Sequence, residues 1–169
     1  MGSQKTYVVP HRRKRENKTN YKTRLTLLKS GIHRFVARKS LKHITIQVIQ
    51  YEAKGDKVLF TVSSSGLKKL GWKHSTSSIP SAYLTGLLTG KKVKNMKITE
   101  GIFDLGLQPS IKGSRLYAAL KGLLDAGVNI PASDNIFPSK ERIEGKHITE
   151  YKKNDIEKDI EDVKKKILA

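Results

Sequence analysis

The sequence has no cysteine and no long hydrophobic run among its 169 residues. Without thiols, the chain can form neither disulfides nor a cysteine-ligated zinc site. No apolar stretch approaches the ~18 residues of a membrane-spanning helix, and none follows the basic N-terminus as a secretory signal would. Hydrophobic residues make up 37% of the sequence, so we expect one modest core. These absences predict a cytoplasmic chain that folds without a metal or cofactor.

Acidic residues are also scarce, with 15 Asp and Glu against 34 Lys and Arg, for a net charge of +19. Residues 1–42 contain 13 basic residues and one acidic residue, whereas residues 141–169 contain eight of each. A surface that is basic only for solubility would not need most of its excess charge in the first quarter of the chain. This distribution favours a nucleic-acid partner over a membrane surface or a simple solubility device.

The first 20 residues have no apolar periodicity, and we interpret them as a basic arm. Mutual repulsion within HRRKRENK (residues 11–18) should keep this segment extended and disordered in isolation. It could be a solvated tail or a localisation signal, or it could bind RNA by neutralising phosphates.

The segment GIHRFVARKSLKHITIQVIQY (31–51) predicts two short strands joined by a basic turn. Residues alternate in polarity along both strands, 33–38 and 43–51, which is typical of a sheet with one buried and one free face. Paired as a hairpin, the strands would place Arg34, Arg38, His43, Thr45 and Gln47 on the free face. Such a face offers donors and cations with almost no acceptor charge, so its partner should be an anion rich in oxygens.

The remaining pattern predicts a small mixed sheet of order β-β-β-α-β-α, an α/β fold with helices packed on the sheet. The third strand is predicted at residues 57–62 and the fourth at 98–107. The first helix, residues 21–30, has Tyr21, Leu25 and Leu28 on one face, and Tyr21 could lie at the core edge or stack on a base. A second helix is predicted from Pro80 to Gly90, followed by a basic loop at 91–95, and Ser114 should cap a third.

The C-terminal segment ends in a predicted helix at residues 154–168, with a capping box of Asn154 and Glu157. Its narrow apolar seam consists of Ile156, Ile160, Val163 and Ile167. The seam should dock on the chain's own domain or on another molecule. The predicted organisation is therefore an arm (1–20), an α/β domain (21–131) and an extended tail ending in a helix (132–169).

The run RKSLKHITIQVI (38–49) resembles the family of large-subunit ribosomal proteins that bind 5S ribosomal RNA, the universal family numbered eighteen. The resemblance continues in YKTRLTLLKSG, STSSIPSAYLTGLLTG and DLGLQPSIKGSRLYAALKGLLDAGVNIP, and the long form looks archaeal or eukaryotic. Leu41 stands where the family usually has asparagine. The resemblance implies a structural protein that helps to seat 5S ribosomal RNA in the central protuberance of the large subunit. Its expected partners are 5S ribosomal RNA, large-subunit ribosomal RNA and neighbouring ribosomal proteins, with no membrane and no small-molecule substrate.

The predicted RNA-binding residues come from the arm, the first helix and the hairpin. They are Arg12, Arg13, Lys14, Arg15, Lys18, Tyr21, Lys22, Arg24, His33, Arg34, Arg38, Lys39, Lys42, His43 and Gln47.

Two other classes of function, an enzyme and a regulatory RNA-binding module, are the alternatives to this interpretation. The element order resembles a ribonuclease-H-like enzyme, but the first strand has no acid and Asp104 has no partner carboxylates for a two-metal site. We therefore predict no enzymatic activity and a structural role for Asp104, as an acceptor of backbone or arginine hydrogen bonds. The alternative that composition leaves open is a regulatory RNA-binding module outside the ribosome.

Overall fold

The computed structural model describes residues 8–152 and 156–168. Its four strands are β1 (Arg34–Lys39), β2 (Ile44–Gln50), β3 (Lys57–Ser63) and β4 (Ile102–Asp104). Within the described ranges the α-helices are α1 (Arg12–Arg15), α2 (Tyr21–Leu28), α3 (Ile79–Asn95), α4 (Arg115–Asp125), α5 (Lys140–Glu144), α6 (Lys146–Lys152) and α7 (Ile156–Leu168). Short 3-10 helices occupy Ser64–Leu70 and Asp134–Ile136. In the described part of the chain, no helix has the length and apolarity to cross a membrane.

The strands form one mixed sheet in the order β3-β2-β1-β4. β1 pairs antiparallel with β2 and parallel with β4, while β3 pairs antiparallel with β2. A parallel neighbour requires a crossover connection, which α3 provides between β3 and β4. The predicted α/β class, the mixed sheet and the order β-β-β-α-β-α are therefore confirmed.

The sheet has one buried face and one open face. On the buried face, Phe35, Ala37, Ile44, Ile46 and Val48 are all fully buried. Four of these side chains, Phe35, Ile44, Ile46 and Val48, cluster with apolar residues of α3 and α4, so both helices cover the same face of the sheet.

Cross-strand register defines the open face. The pairs Val36 with Gln47 and Arg38 with Thr45 put the predicted polar residues on one side, since paired residues share a face. The alternation in the sequence therefore predicted both faces of the hairpin.

Helix α3 is longer than predicted. Ser78 caps its N-terminus by accepting a hydrogen bond from the Ser81 amide, and Pro80 lies in the first turn. The helix continues past Gly90 because Val93 is fully buried in an apolar cluster with Phe35 of β1 and Leu123 of α4. The prediction of a basic loop at 91–95 is therefore wrong, and these residues form the last turns of α3.

Other boundaries also differ from the prediction. β4 spans only Ile102–Asp104 instead of residues 98–107. Ser114 occupies the N-cap position of α4, but its hydroxyl makes no capping hydrogen bond.

The apolar stripe predicted for α2 does not face a core. No residue of α2 is buried, and Leu25 is 60% exposed. The helix does begin as predicted, because the Asn20 side chain accepts hydrogen bonds from the amides of Lys22 and Thr23. Its position on the protein therefore depends on contacts other than apolar burial.

The C-terminal helix α7 docks on its own domain. Ile156, Ile160, Val163 and Ile167 are between 1% and 7% exposed and join the core cluster that contains Trp72. This confirms the predicted seam. The predicted start of the helix, with Asn154 of the capping box, lies outside the described residues.

We expect hydrogen exchange to detect this docking in the free protein. A helix of about 15 residues is marginal alone in water, whereas burial of the seam should protect the amides of residues 156–167. The measurement is amide exchange followed by mass spectrometry, with a dilution series to detect self-association. Protection that develops only after assembly with other components would contradict the docking described here.

Candidate nucleic-acid interface

A groove of about 720 Å³ runs along the open face of the sheet. Its floor is formed by residues of β1, such as Arg34 and Arg38. One wall consists of the segment 18–24 with part of α1, and the other is the loop 105–108 after β4. The groove therefore brings together six of the predicted site residues, from the arm, α2 and β1: Arg13, Lys18, Tyr21, Arg24, Arg34 and Arg38.

The basic arm contains one turn of helix instead of the extended segment that we predicted. All four residues of α1 are exposed, and the Nε of Arg13 donates a hydrogen bond to Thr19 Oγ1 at 2.8 Å. Glu16, the one acid of the arm, lies 2.9 Å from Lys18 Nζ and 3.8 Å from Arg12 Nε. These contacts hold residues 12–19 beside the start of α2, with the side chains of α1 in solvent.

Four alternating charges connect α2 to the sheet at the bottom of the groove. Arg24 donates two hydrogen bonds to Asp56, at 2.6 and 2.8 Å, in a bidentate pair. Arg34 donates to Asp56 through Nη2 and to Asp104 through Nη1, the latter at 3.1 Å. The second oxygen of Asp104 accepts the Gly106 amide at 2.7 Å, which confirms the predicted structural role of Asp104.

The pairing shifts the pKa values of Arg24 and Asp56. The hydrogen bonds from Arg24 lower the pKa of Asp56, and the same pair raises the pKa of Arg24. Because the pKa of Asp56 is lower in the folded state, its contribution to stability is present above the ordinary carboxyl pKa. That contribution is lost as the pH falls through the folded-state pKa of Asp56. The pair of Arg24 and Asp56 is therefore charged at neutral pH.

Arg34 was predicted to contact RNA, and the structure instead buries it. The residue is 3% exposed, and both of its terminal nitrogens donate to carboxylates. Asp56 and Asp104, which are distant in sequence from Arg34, also contradict our expectation that this face has almost no acceptor charge. A charged residue on the open face of a strand has the same sequence pattern whether solvent or a carboxylate covers it.

Arg38, Lys39, Lys42 and His43 surround the tip of the hairpin, and Arg38 and Lys42 are exposed. The turn is closed by the Ser40 hydroxyl, which accepts the His43 amide at 2.9 Å. The ring Nδ1 of His43 is hydrogen-bonded to Thr76 Oγ1 at 3.0 Å, so this side chain faces the 75–78 loop.

The other predicted residues occupy varied environments. Gln47 donates to Thr61 Oγ1 at 3.3 Å across the open face. His33 precedes β1 and is half-buried, while Lys22 is exposed on α2. The Tyr21 ring is 37% exposed and lies 5.3 Å from the ring of His11, which places it at the edge of the groove rather than in the core.

Sequence reasoning missed Asp56 and the 105–108 loop as parts of this surface. Asp56 lies in the turn between β2 and β3, and a turn aspartate gives no indication of a distant arginine partner. Among the described residues, no group of three or more His, Cys, Asp or Glu side chains is arranged to hold a metal ion.

The sequence is similar to those of large-subunit ribosomal proteins. The family described as ribosomal large subunit proteins 60S L5 and 50S L18 matches residues 5–102. The large ribosomal subunit protein uL18 of the archaeon Methanothrix thermoacetophila is 49% identical over 163 residues, which cover 96% of each chain. The similarity to this relative therefore covers nearly the whole chain.

Proposed function

Because the chain belongs to the uL18 family of large-subunit ribosomal proteins, we propose that it binds 5S ribosomal RNA and helps to seat it in the central protuberance. Membership of this family makes the chain a structural component of the ribosome, in the cytoplasm, rather than an enzyme. The identity of the RNA and its place in the subunit are the finer parts of the proposal.

The observation that supports the proposal most directly is the groove between the arm, α2 and the sheet. Its cations come from three separate elements, so their side chains can follow a curved backbone of phosphates. Half or more of the hydrogen bonds in such complexes go to phosphate and sugar oxygens, for which Arg and Lys are the usual donors. The exposed cations of α1 and of the hairpin tip extend this surface at both ends of the groove.

RNA fits the surface better than DNA. Recognition of DNA commonly places a helix in the major groove, with several side chains facing the bases. Here α1 has four residues and α2 has eight, and both form one wall of a concave site. A concave surface with an aromatic residue at its edge suits the irregular backbone and unstacked bases of a folded RNA.

We expect the purified protein to bind 5S ribosomal RNA in preference to transfer RNA. Affinity should fall steeply with salt, with a slope that corresponds to roughly 6–10 neutralised phosphates. Filter binding or fluorescence anisotropy at several salt concentrations measures both quantities. Equal affinity for the two RNAs at ~0.2 M salt, where nonspecific phosphate binding is suppressed, would disprove the proposed specificity.

A further inference from the structure

Asp56 is an acidic residue in a groove that otherwise suits an anion. A carboxylate at this position repels phosphates, so its charge alone weakens the binding of any nucleic acid. Asp56 accepts hydrogen bonds from two arginines that belong to different elements, Arg24 of α2 and Arg34 of β1. We infer that Asp56 is a positioning residue, which holds α2 and the arm over the sheet in the arrangement that RNA binds. This inference rests on the proposed function.

Helix α2 has few other means of attachment. It contributes no buried residue, so hydrophobic burial stabilises its position only weakly. The bidentate pair between Arg24 and Asp56 joins it to the β2–β3 turn, 32 residues away in sequence. Bidentate arginine–carboxylate pairs fix orientation as well as distance. Asp56 therefore determines the position of α2, which forms this wall of the groove.

The sheet side of the network is rigid. Arg34 is held between Asp56 and Asp104, and Asp104 is tied to the Gly106 amide of the opposite wall. The chain of contacts thus extends from α2, across the floor of the groove, to the loop after β4. Preorganisation of this kind increases affinity for a ligand of matching shape, because less ordering remains to be done on binding.

The negative charge of Asp56 and its positioning role predict opposite effects on RNA binding when Asp56 is replaced by a neutral residue. Removal of a negative charge should strengthen the binding of every RNA, whereas loss of the anchor should weaken the binding of the RNA that fits the preformed groove. The sign of the change with 5S ribosomal RNA therefore separates the two roles.

The test compares Asp56→Asn with Glu52→Gln, using 5S ribosomal RNA and transfer RNA as the two probes. Glu52 is a matched control, because it lies near the same turn, is exposed, and makes only a 3.9 Å pair with Lys57. Both variants lose one negative charge. We expect Glu52→Gln to bind both RNAs slightly more tightly. Asp56→Asn should bind transfer RNA in the same way but 5S ribosomal RNA about tenfold more weakly, the effect of losing one charge-assisted hydrogen bond.

A second variant, Arg24→Lys, keeps the net charge but replaces the planar fork with a single ammonium group. This variant should fold, because no residue of α2 is buried. It therefore provides the test if Asp56→Asn does not fold. We expect it to weaken 5S binding and to reduce the exchange protection of α2, and loss of a direct phosphate contact alone would not cause the second effect. If instead Asp56→Asn binds 5S ribosomal RNA as tightly as Glu52→Gln does, or Arg24→Lys binds it as tightly as the unaltered chain does, the inference is overturned.

Hydrogen exchange distinguishes failure of this inference from failure of the proposed function. In the free protein, amides of Arg24 to Leu28 should lose protection in Asp56→Asn and Arg24→Lys but not in Glu52→Gln. If the unaltered chain shows no preference for 5S ribosomal RNA, the proposed function fails, and exchange still decides whether Asp56 anchors α2. Unchanged protection in both variants would overturn the anchoring itself.

Discussion

Replacement of all four residues of α1 by alanine is expected to weaken the binding of 5S ribosomal RNA by roughly two orders of magnitude at ~0.2 M salt. Each neutralised phosphate contributes about 0.7–0.9 to the salt slope, which corresponds to roughly half a decade of affinity at that salt concentration. The side chains of Arg12–Arg15 are exposed, and none of these residues is buried. The variant should therefore keep its fold, and the slope of its log affinity against log salt concentration should decrease in magnitude by about three. Binding isotherms at several salt concentrations measure both changes.

The control replaces four exposed lysines outside the groove, so that the net charge of the two variants is equal: Lys92, Lys94, Lys97 and Lys140. We expect this control to retain most of its affinity for 5S ribosomal RNA. Melting temperatures of both variants verify that folding is preserved. Similar losses in the two variants would mean that overall charge, rather than the arm, governs binding.

Replacement of Gly122 by alanine is expected to destabilise the fold by about 3 kcal/mol, at the upper end of the usual cost of overpacking a core. A Cβ at this position would clash with the carbonyl oxygen of Tyr83, and one at Gly86 would clash with that of Ala119. Both contacts are with backbone, so α3 and α4 would have to move apart. For a chain of this size, the melting temperature should fall by about 6–12 °C.

Gly66→Ala provides the matched control for this prediction. It lies in the 3-10 helix Ser64–Leu70, and an added Cβ there would meet nothing within 4 Å. Its effect should stay within about 0.5 kcal/mol, as for other substitutions away from close packing. Thermal or urea denaturation of both variants measures the difference. Equal stability of Gly122→Ala and Gly66→Ala would show that the helices accommodate the extra carbon.

Local patterns predicted the four strands, the main helices and the two faces of the hairpin. Alternation along residues 33–51 predicted which side chains share a face of the hairpin, because the period of a strand is a property of the backbone alone. The 3.6-residue period likewise identified the seam of α7. The charge excess of the first 42 residues predicted a basic surface, and the groove lies in the same part of the chain.

Only the tertiary structure decided which of these elements meet. The same kind of apolar spacing predicted a docked face for α2 and for α7, yet α7 is buried and Leu25 of α2 is 60% exposed. Likewise, Arg34 and Arg38 occupy equivalent positions on β1, but Asp56 and Asp104 cover only Arg34. Gly122 permits contact with α3, a partner that spacing within α4 does not specify. Periodicity reports the geometry of one segment, whereas burial, ion pairing and close approach depend on groups that are distant in sequence and adjacent only after folding.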